Sequence, residues 1–355
     1  VIQCSFCLEF FKMRPTLLIS LLAASAADCR VLPEAGYVGA VALEEDPIGN
    51  PIGTEGVDTD PCPDPPSANQ SLHQLVNTLP INSLVLRTPS IVNLDKTYIL
   101  VLLVNSAEYE REDRDEIRRQ WASRKESKMQ EMEESVVVFL LGRSSALEEE
   151  SDLYGDLLQV DVEDSYRNMV YKIEAGFRWL KESVRSDFVA KVDSDTVVHI
   201  DRLYTYLSKY ELAQSGPWFA CFSIPSSAPV RDKCNPWYIP ESDYPYDRMP
   251  AYCNGPGYAM NRGLFELIVD RMKEHKVFEV EDAFLTGAVA SDVGEIKMMV
   301  DVAFHRYTEI TDCDEDGPTL SMQNTHFQLD DVIKPRKNLT AAWNCLKSVK
   351  CPQEL

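Results

Sequence analysis

Phe188-Val-Ala-Lys191-Val192, followed by Asp193-Ser194-Asp195, is the stretch that decides the fold. A short apolar run closed by a polar turn is the pattern of a strand buried on both faces. Two carboxylates follow it. In an extended segment residues i and i+2 point to the same side, so Asp193 and Asp195 would face one point at the strand's end. Hard oxygen ligands that fill a site incompletely suit Mg²⁺ or Mn²⁺. The competing reading is a helix N-cap, because Asp195 or Thr196 precedes the helical-looking Val197–Tyr210.

Moving outward, the same alternation recurs. Tyr98–Val104 (YILVLLV) and Ser135–Leu141 (SVVVFLL) read as buried strands, and Leu157–Val160 as a short one. The charged segment Arg111–Lys128, with Ile117 and Trp121 at near-helical spacing, reads as helical, as does Ala146–Gly155. Tyr166–Val184 is amphipathic, with Tyr166, Met169, Val170, Ile173, Phe177, Leu180 and Val184 on one stripe. Strands alternating with helices predict an α/β domain with a mixed, mostly parallel sheet flanked by helices. Such sheets bind ligands outside the carboxyl ends of their strands, where Asp193-Ser194-Asp195 falls. Beyond about residue 215 the text is rich in Pro, Trp and Tyr and reads as a loop-rich acceptor half.

Two further constellations stand out there. Glu281-Asp282 precedes an apolar turn; it offers a general base near a metal site, or acids that favour a helix N-terminus. Trp237 through Tyr258, with Tyr244-Pro245, Tyr252-Cys253 and Gly255-Pro-Gly257, offers rigid walls for a sugar, or a disulfide-pinned surface loop. The five His are scattered without H-E-x-x-H, and neither a P-loop nor a G-x-S-x-G elbow occurs.

The 35 Lys+Arg against 57 Asp+Glu give a net charge of −22, which excludes a nucleic-acid binder built on a basic stripe. A phosphate-bearing ligand would then need a local cation or a bound metal. Met13, Arg14 and the apolar Pro15–Ala27 read as a secretory leader or signal-anchor remnant over residues 1–27. Residues 28–90, with six Pro between Asp46 and Pro66, read as a stem. Residues 91–355 are then the catalytic domain. Ten Cys suit a secretory compartment, with connectivity open. Asn69-Gln-Ser71 and Asn338-Leu-Thr340 are glycosylation patterns.

In order, these segments resemble glycosyltransferase family 31, the β-1,3-galactosyltransferase group. Arg114-x-x-Ile117-Arg118-x-x-Trp121 is similar to its R-x-x-I-R-x-T-W, with Gln120 in place of Thr. Val138–Gly142, Tyr154-Gly-Asp156 with Asp164-Ser-Tyr166-x-Asn168 and Lys172, Lys191–Asp195, Tyr244–Tyr258 and Glu281–Gly287 resemble its later motifs. Ser194 stands where the family has a middle Asp, and Ala283 where it has Val. The resemblance implies a GT-A-type fold, a UDP-sugar donor, Mn²⁺ and inversion at the anomeric carbon. It implies Asp195 as direct metal ligand and His326 as a further one. Asp193 and Ser194 would lie along the nucleotide, with Arg118 or Lys191 assisting at the diphosphate, and Asp282 would be the general base. The expected reaction moves a hexose, galactose first, onto a glycan acceptor on glycoprotein or glycolipid in β-1,3 linkage. UDP-N-acetylglucosamine or UDP-N-acetylgalactosamine transfer is the alternative within the family, and a non-catalytic secretory binding protein the alternative outside it. A type II Golgi membrane location with a lumenal domain follows from the family, secretion from a cleaved leader. Nucleic acid is excluded as a partner, and a homodimer remains open.

Overall fold

The computed structural model describes residue 62 and residues 65–213, 216–294, 296–300, 304–307, 321–324 and 339–348. All of them belong to the compact unit Asp60–Leu355; the other unit is Val1–Thr59.

The chain enters through α1 (Gln70–Thr78) and a short strand β1 (Val85–Arg87). Then follow β2 (Thr97–Asn105), α2 (Arg111–Arg119), α3 (Lys128–Glu131) and β3 (Ser135–Arg143). Next come α4 (Glu148–Tyr154), β4 (Leu157–Glu163), α5 (Met169–Ser183) and β5 (Arg185–Asp193). The second half holds β6 (Thr196–Val198), α6 (Ile200–Ala213), β7 (Trp218–Ile224), β8 (Tyr252–Asn261) and α7 (Arg262–Arg271). A π-helix (Ala283–Val289), β9 (Lys297–Val300), β10 (Phe304–Tyr307), β11 (Ser321–Asn324) and α8 (Leu339–Ser348) complete the described elements.

Eight strands form the main sheet in the order β1-β4-β3-β2-β5-β8-β7-β9. β2, β3, β4, β5, β7 and β9 run one way, and β1 and β8 run against them. The apolar runs are continuous because both faces are covered. Leu100, Leu102 and Val104 of β2 join Val137, Phe139 and Leu141 of β3 in one core; Val101, Leu103, Val138 and Leu140 join the other. Each such side chain contributes about 1.5–3 kcal/mol on full burial. α5 seats closely on the sheet because residue 176 is glycine: a Cβ there would lie 2.7 Å from a Leu140 methyl.

The mixed, mostly parallel α/β sheet is as the sequence predicts; four local expectations are corrected. α1 packs on α5 and β1 pairs with β4, so the folded unit begins before residue 91, with residues 65–90 part of it rather than of a free stem. Asp195 does not cap a helix: residues 196–198 pair with β11, and α6 starts only at Ile200. The stripe 166–184 becomes helical at Met169, which leaves Tyr166 in the preceding turn. The run from Tyr252 to Tyr258 is a strand, not a loop, because β8 is held between β5 and β7. Its entry is pinned by the Cys221–Cys253 disulfide, and Cys62–Cys234 ties the chain's entry to the loop before β8. Cys313 and Cys351 lie outside the described residues. No described helix is long and apolar enough to cross a membrane.

Candidate active site

The carboxyl ends of β2 and β5 lie side by side, with Asn105 opposite Asp193. β8 runs the other way, so its first residues reach the same end, with Gly257 opposite Val192. Lys191 occupies the seam. Its side chain is fully buried, and Nζ lies 2.7 Å from Asp193 Oδ1, 3.3 Å from Glu281 Oε2 and 2.8 Å from the Gly255 carbonyl. Burial alone would favour the neutral amine, but Asp193 and Glu281 outweigh it and hold the pKa above its ordinary value. Glu281 is equally enclosed. Its carboxyl is pushed up by burial, offset in part by Lys191 and by the Tyr258 hydroxyl, which donates to Oε1 at 2.6 Å.

Asp282 follows at the head of the π-helix. Its Oδ1 accepts the Ala283 N–H at 2.8 Å, and the Gly255 N–H also donates to it. A Cβ at position 255 would sit 3.1 Å from Asp282 Oδ2, close enough that Asp282 would have to give by a few tenths of an ångström. Burial first, and the neighbouring Glu281 second, push the Asp282 carboxyl from 3.8 up to about 7. A carboxylate tuned to neutral pH can take a proton from a hydroxyl and release it again. The π-helix is locked to β8: Thr286 Oγ1 donates to the Asp282 carbonyl at 2.6 Å and accepts the Cys253 N–H at 2.8 Å.

On the other side of Asp193, the Ser194 N–H donates to the Asn105 carbonyl at 3.0 Å. Ser194 Oγ donates to Glu110 Oε2 at 2.7 Å. The same Glu110 oxygen receives the Ala107 N–H at 2.9 Å and the Ser106 hydroxyl at 3.2 Å. Asn105 Nδ2 reaches Asp193 Oδ1 at 3.4 Å, while Asn105 Oδ1 is buried without a partner beside it. Asp195 is 8% exposed, with the Thr196 hydroxyl 3.4 Å from its Oδ1.

Against that geometry, a galactosyltransferase family model matches residues 112–299, a little over half of the chain. The chain belongs to the galactosyltransferase family. It is 30% identical to beta-1,3-galactosyltransferase 5 of Homo sapiens over 193 residues, 52% of this chain and 61% of that one. With the Mus musculus beta-1,3-galactosyltransferase 5 the identity is 30% over 207 residues, 56% of this chain and 66% of that one. With beta-1,3-galactosyltransferase 1 of Mus musculus it is 29%, over 52% and 58%. The chain thus spans about six tenths of the length of these curated relatives. Among solved structures, it is similar to the mannosyltransferase PcManGT from Pyrobaculum calidifontis in complex with GDP-Man and Mn²⁺. There the TM-score is 0.32 and the identity 14%, over 66% of this chain and 61% of that one. A 4-diphosphocytidyl-2C-methyl-D-erythritolsynthase from Anaerococcus prevotii gives 0.33 and 12%, over 57% and 88%. Likenesses of this size carry nothing further. The mixed, mostly parallel sheet agrees with the α/β architecture that the sequence resemblance implies.

In this galactosyltransferase-family chain, Asp193, Ser194, Lys191 and Asp282 come together, joined through Lys191 and Gly255. Asp193 and Asp195 offer hard carboxylate oxygens, and Asp193 keeps Oδ2 clear of Lys191 and Asn105, which both address Oδ1. Those hard oxygens suit a Mg²⁺- or Mn²⁺-sized cation, which Asp193 and Asp195 would hold; Ser194 and Asp195 form a turn after β5 rather than the extended run expected from the sequence. The described residues contain no cluster of three or more metal-binding side chains. His326 lies outside them. Arg118 is placed elsewhere. It makes four hydrogen bonds, to Asp115, Glu150 and twice to Asp156, and its guanidinium stacks 3.9 Å from the Tyr154 ring centroid. Those carboxylates outweigh the penalty of burial and raise its pKa. It braces α2 against α4 and the start of β4, because the buried Glu150 and Asp156 need a counter-charge.

Glu110, Asn105, Tyr166 and Tyr252 complete the surroundings; the sequence placed Tyr252 among aromatic walls for a sugar and gave the other three no role of their own. Glu110 is one acid among many in a charged run; only the fold sets it beside Ser194. Tyr166 carried a signal, as part of the Asp164-Ser-Tyr166 block.

Proposed function

We propose that the chain is an inverting transferase that moves galactose from UDP-galactose onto a glycan hydroxyl in β-1,3 linkage, in the lumen of the secretory pathway. The reading is carried by one observation. Lys191 joins the strand-end Asp193 to Glu281, the neighbour of Asp282, and Asp282 is tuned to about 7. Asp193 and Glu281, 88 positions apart, are thereby held on one cation, with Asp282 next to Glu281. The curated relatives support galactose and the β-1,3 linkage by their names. The two disulfides support an oxidising compartment.

Asp282 accepts the proton of the attacking hydroxyl, which adds to the sugar C1 from the face opposite the departing nucleotide. General-base assistance of this kind contributes about 10²–10⁴-fold. Asp193 and Asp195 would hold the divalent cation, Mn²⁺ in this family, which neutralises the charge left on the diphosphate. Ser194 Oγ gives its proton to Glu110, so it can accept a hydrogen bond from a ribose hydroxyl.

The test is UDP release by the full chain offered UDP-galactose, UDP-N-acetylglucosamine and UDP-N-acetylgalactosamine, with Mn²⁺ or a chelator and a mixed glycan pool. Acceptor-stimulated, metal-dependent release with UDP-galactose is expected. Preference for either N-acetyl donor would overturn the galactose assignment. A folded protein that binds no UDP would overturn the transferase reading.

A further inference from the structure

Asn69-Gln70-Ser71 takes no part in the cleft, yet the fold gives each of its residues a distinct setting. Asn69 is exposed and stands directly before α1. Its backbone N–H donates to the Tyr171 hydroxyl at 2.6 Å, so α5 holds the main chain there. Its Oδ1 accepts the Leu72 N–H at 2.9 Å and caps α1. The side chain is thereby fixed through its oxygen alone. Among the described residues none accepts a hydrogen bond from Asn69 Nδ2. Gln70 is turned to the protein instead: Nε2 donates to the Val277 carbonyl at 2.7 Å, and Oε1 accepts the Val277 N–H at 3.1 Å. Ser71 is exposed again. The middle residue anchors the triplet, and the amide and hydroxyl on either side of it are left to water.

The chain leading in is pinned as well. The Ala68 N–H donates to Asp243 Oδ2 at 2.7 Å, Arg167 reaches the Pro66 carbonyl at 3.1 Å, and Cys62 is bonded to Cys234. A bulky polar group on Asn69 Nδ2 would therefore sit on a firm point and displace no contact. It would also spare the cap, because Oδ1 keeps its lone pairs when Nδ2 is substituted. The second pattern, Asn338-Leu-Thr340, differs. Leu339 is buried, and Thr340 Oγ1 donates to Glu116 at 2.8 Å and accepts from Gln120 at 2.7 Å. Asn338 itself lies outside the described residues.

We propose that Asn69 is the attachment site of an N-linked oligosaccharide. The site rests on the lumenal location put forward above. The co-substrate is a lipid-diphosphate-linked oligosaccharide of the secretory membrane. Asn69 Nδ2 forms a bond to C1 of its first sugar, and the C1–O bond to the diphosphate breaks. The lipid diphosphate leaves with the electron pair, and the amide nitrogen gives up one proton.

The experiment expresses the full chain in animal cells behind a supplied cleavable leader. The protein is mapped by peptide mass before and after an amidase that removes N-linked glycans. The peptide holding Asn69 carries a glycan, and after the amidase residue 69 is read as aspartate. Ser71→Ala and Asn69→Asp carry none there, while Ser71→Thr keeps it. Ser71→Ala and Asn69→Asp retain a capping oxygen, so their urea midpoints match that of amidase-treated wild type. Asn69→Ala, which loses the cap, unfolds at lower urea. Asn69 recovered unmodified from disulfide-bonded lumenal protein would overturn the proposal, as would a glycan on Asn69 that survives Ser71→Ala. An Asn69→Ala midpoint equal to the others would overturn the cap that fixes the amide. UDP binding by the same samples separates the two readings. A glycosylated chain that binds no UDP sinks the transferase and leaves the site standing; an active chain with bare Asn69 does the reverse.

Discussion

Asp282→Asn separates function from stability. The carboxyl titrates near 3.8 in an unfolded chain and at about 7 in the fold. Below pH 4 both states are protonated and the group costs the fold nothing. Between 4 and 7 the unfolded chain loses its proton while the folded one keeps it, so native stability falls as pH rises. Above 7 the deficit is constant, about 4 kcal/mol as a ceiling from some three pK units, and about half that with relaxation of the surroundings. Asparagine removes the charge but cannot accept both the Ala283 and Gly255 N–H groups, a loss of about 1 kcal/mol. The variant is therefore expected to gain about 1–2 kcal/mol at pH 8 and to show no gain at pH 4. Glu281 and Lys191 both feel the Asp282 charge, so the difference reports the three coupled groups together. Urea unfolding of both proteins under non-reducing conditions, at pH 4, 6 and 8, reads the difference directly. Turnover should fall by about 10²–10⁴-fold in the same samples. A variant less stable at every pH, or a gain equal at pH 4 and 8, would refute the strained carboxylate. Unchanged turnover would remove Asp282 as base.

The wild-type pH profile of kcat/KM should rise through an apparent pKa of about 7, since only ionised Asp282 accepts a proton; a flat profile between pH 5 and 8 counts against it. Lys191→Met leaves the buried Glu281 and the partly exposed Asp193 without their cation, so it should lose about 3 kcal/mol in urea unfolding together with activity. Arg118→Ala should lower the urea midpoint while leaving the UDP-galactose KM unchanged; a raised donor KM would return Arg118 to the diphosphate. A chain truncated at residue 90 loses α1 and β1 and should be insoluble or less stable than one truncated at residue 59, measured by yield and unfolding midpoint.

The sheet could be read in advance because β2, β3 and β5 are covered on both faces, which writes their apolar runs without interruption. β8 could not. Asn254-Gly-Pro-Gly257 carries the marks of a turn, and its extended form comes from partners on both sides: residue 257 pairs with β5, while the disulfide-bonded Cys253 pairs with β7. α1 was hidden for a related reason. A proline-rich entry sets the composition of residues 28–90, yet Val76 and His73 are buried against α5, the latter through Glu174 at 2.8 Å.

The candidate site divides along the same line. Asp193, Asp195 and Asp282 were legible because each follows or heads an apolar segment with its own period. Their relation was not, because it runs through contacts between segments far apart in sequence. Lys191 shows the difference. In sequence it is a lone cation interrupting a strand, and a basic residue near a diphosphate site invites a role in binding it. In the fold its three donors are spent on Asp193, Glu281 and the Gly255 carbonyl. Gly255 passes its own N–H to Asp282. A buried charge held this way fixes the distance between the donor acids and the base, since moving either one leaves an ion without its partner in a low-dielectric seam. The electrostatic work of Lys191 on the nucleotide is therefore indirect: it sets the place of Asp193 and moderates the proton affinity that burial and Glu281 give Asp282, and the charge on the diphosphate would be left to a cation at Asp193 and Asp195.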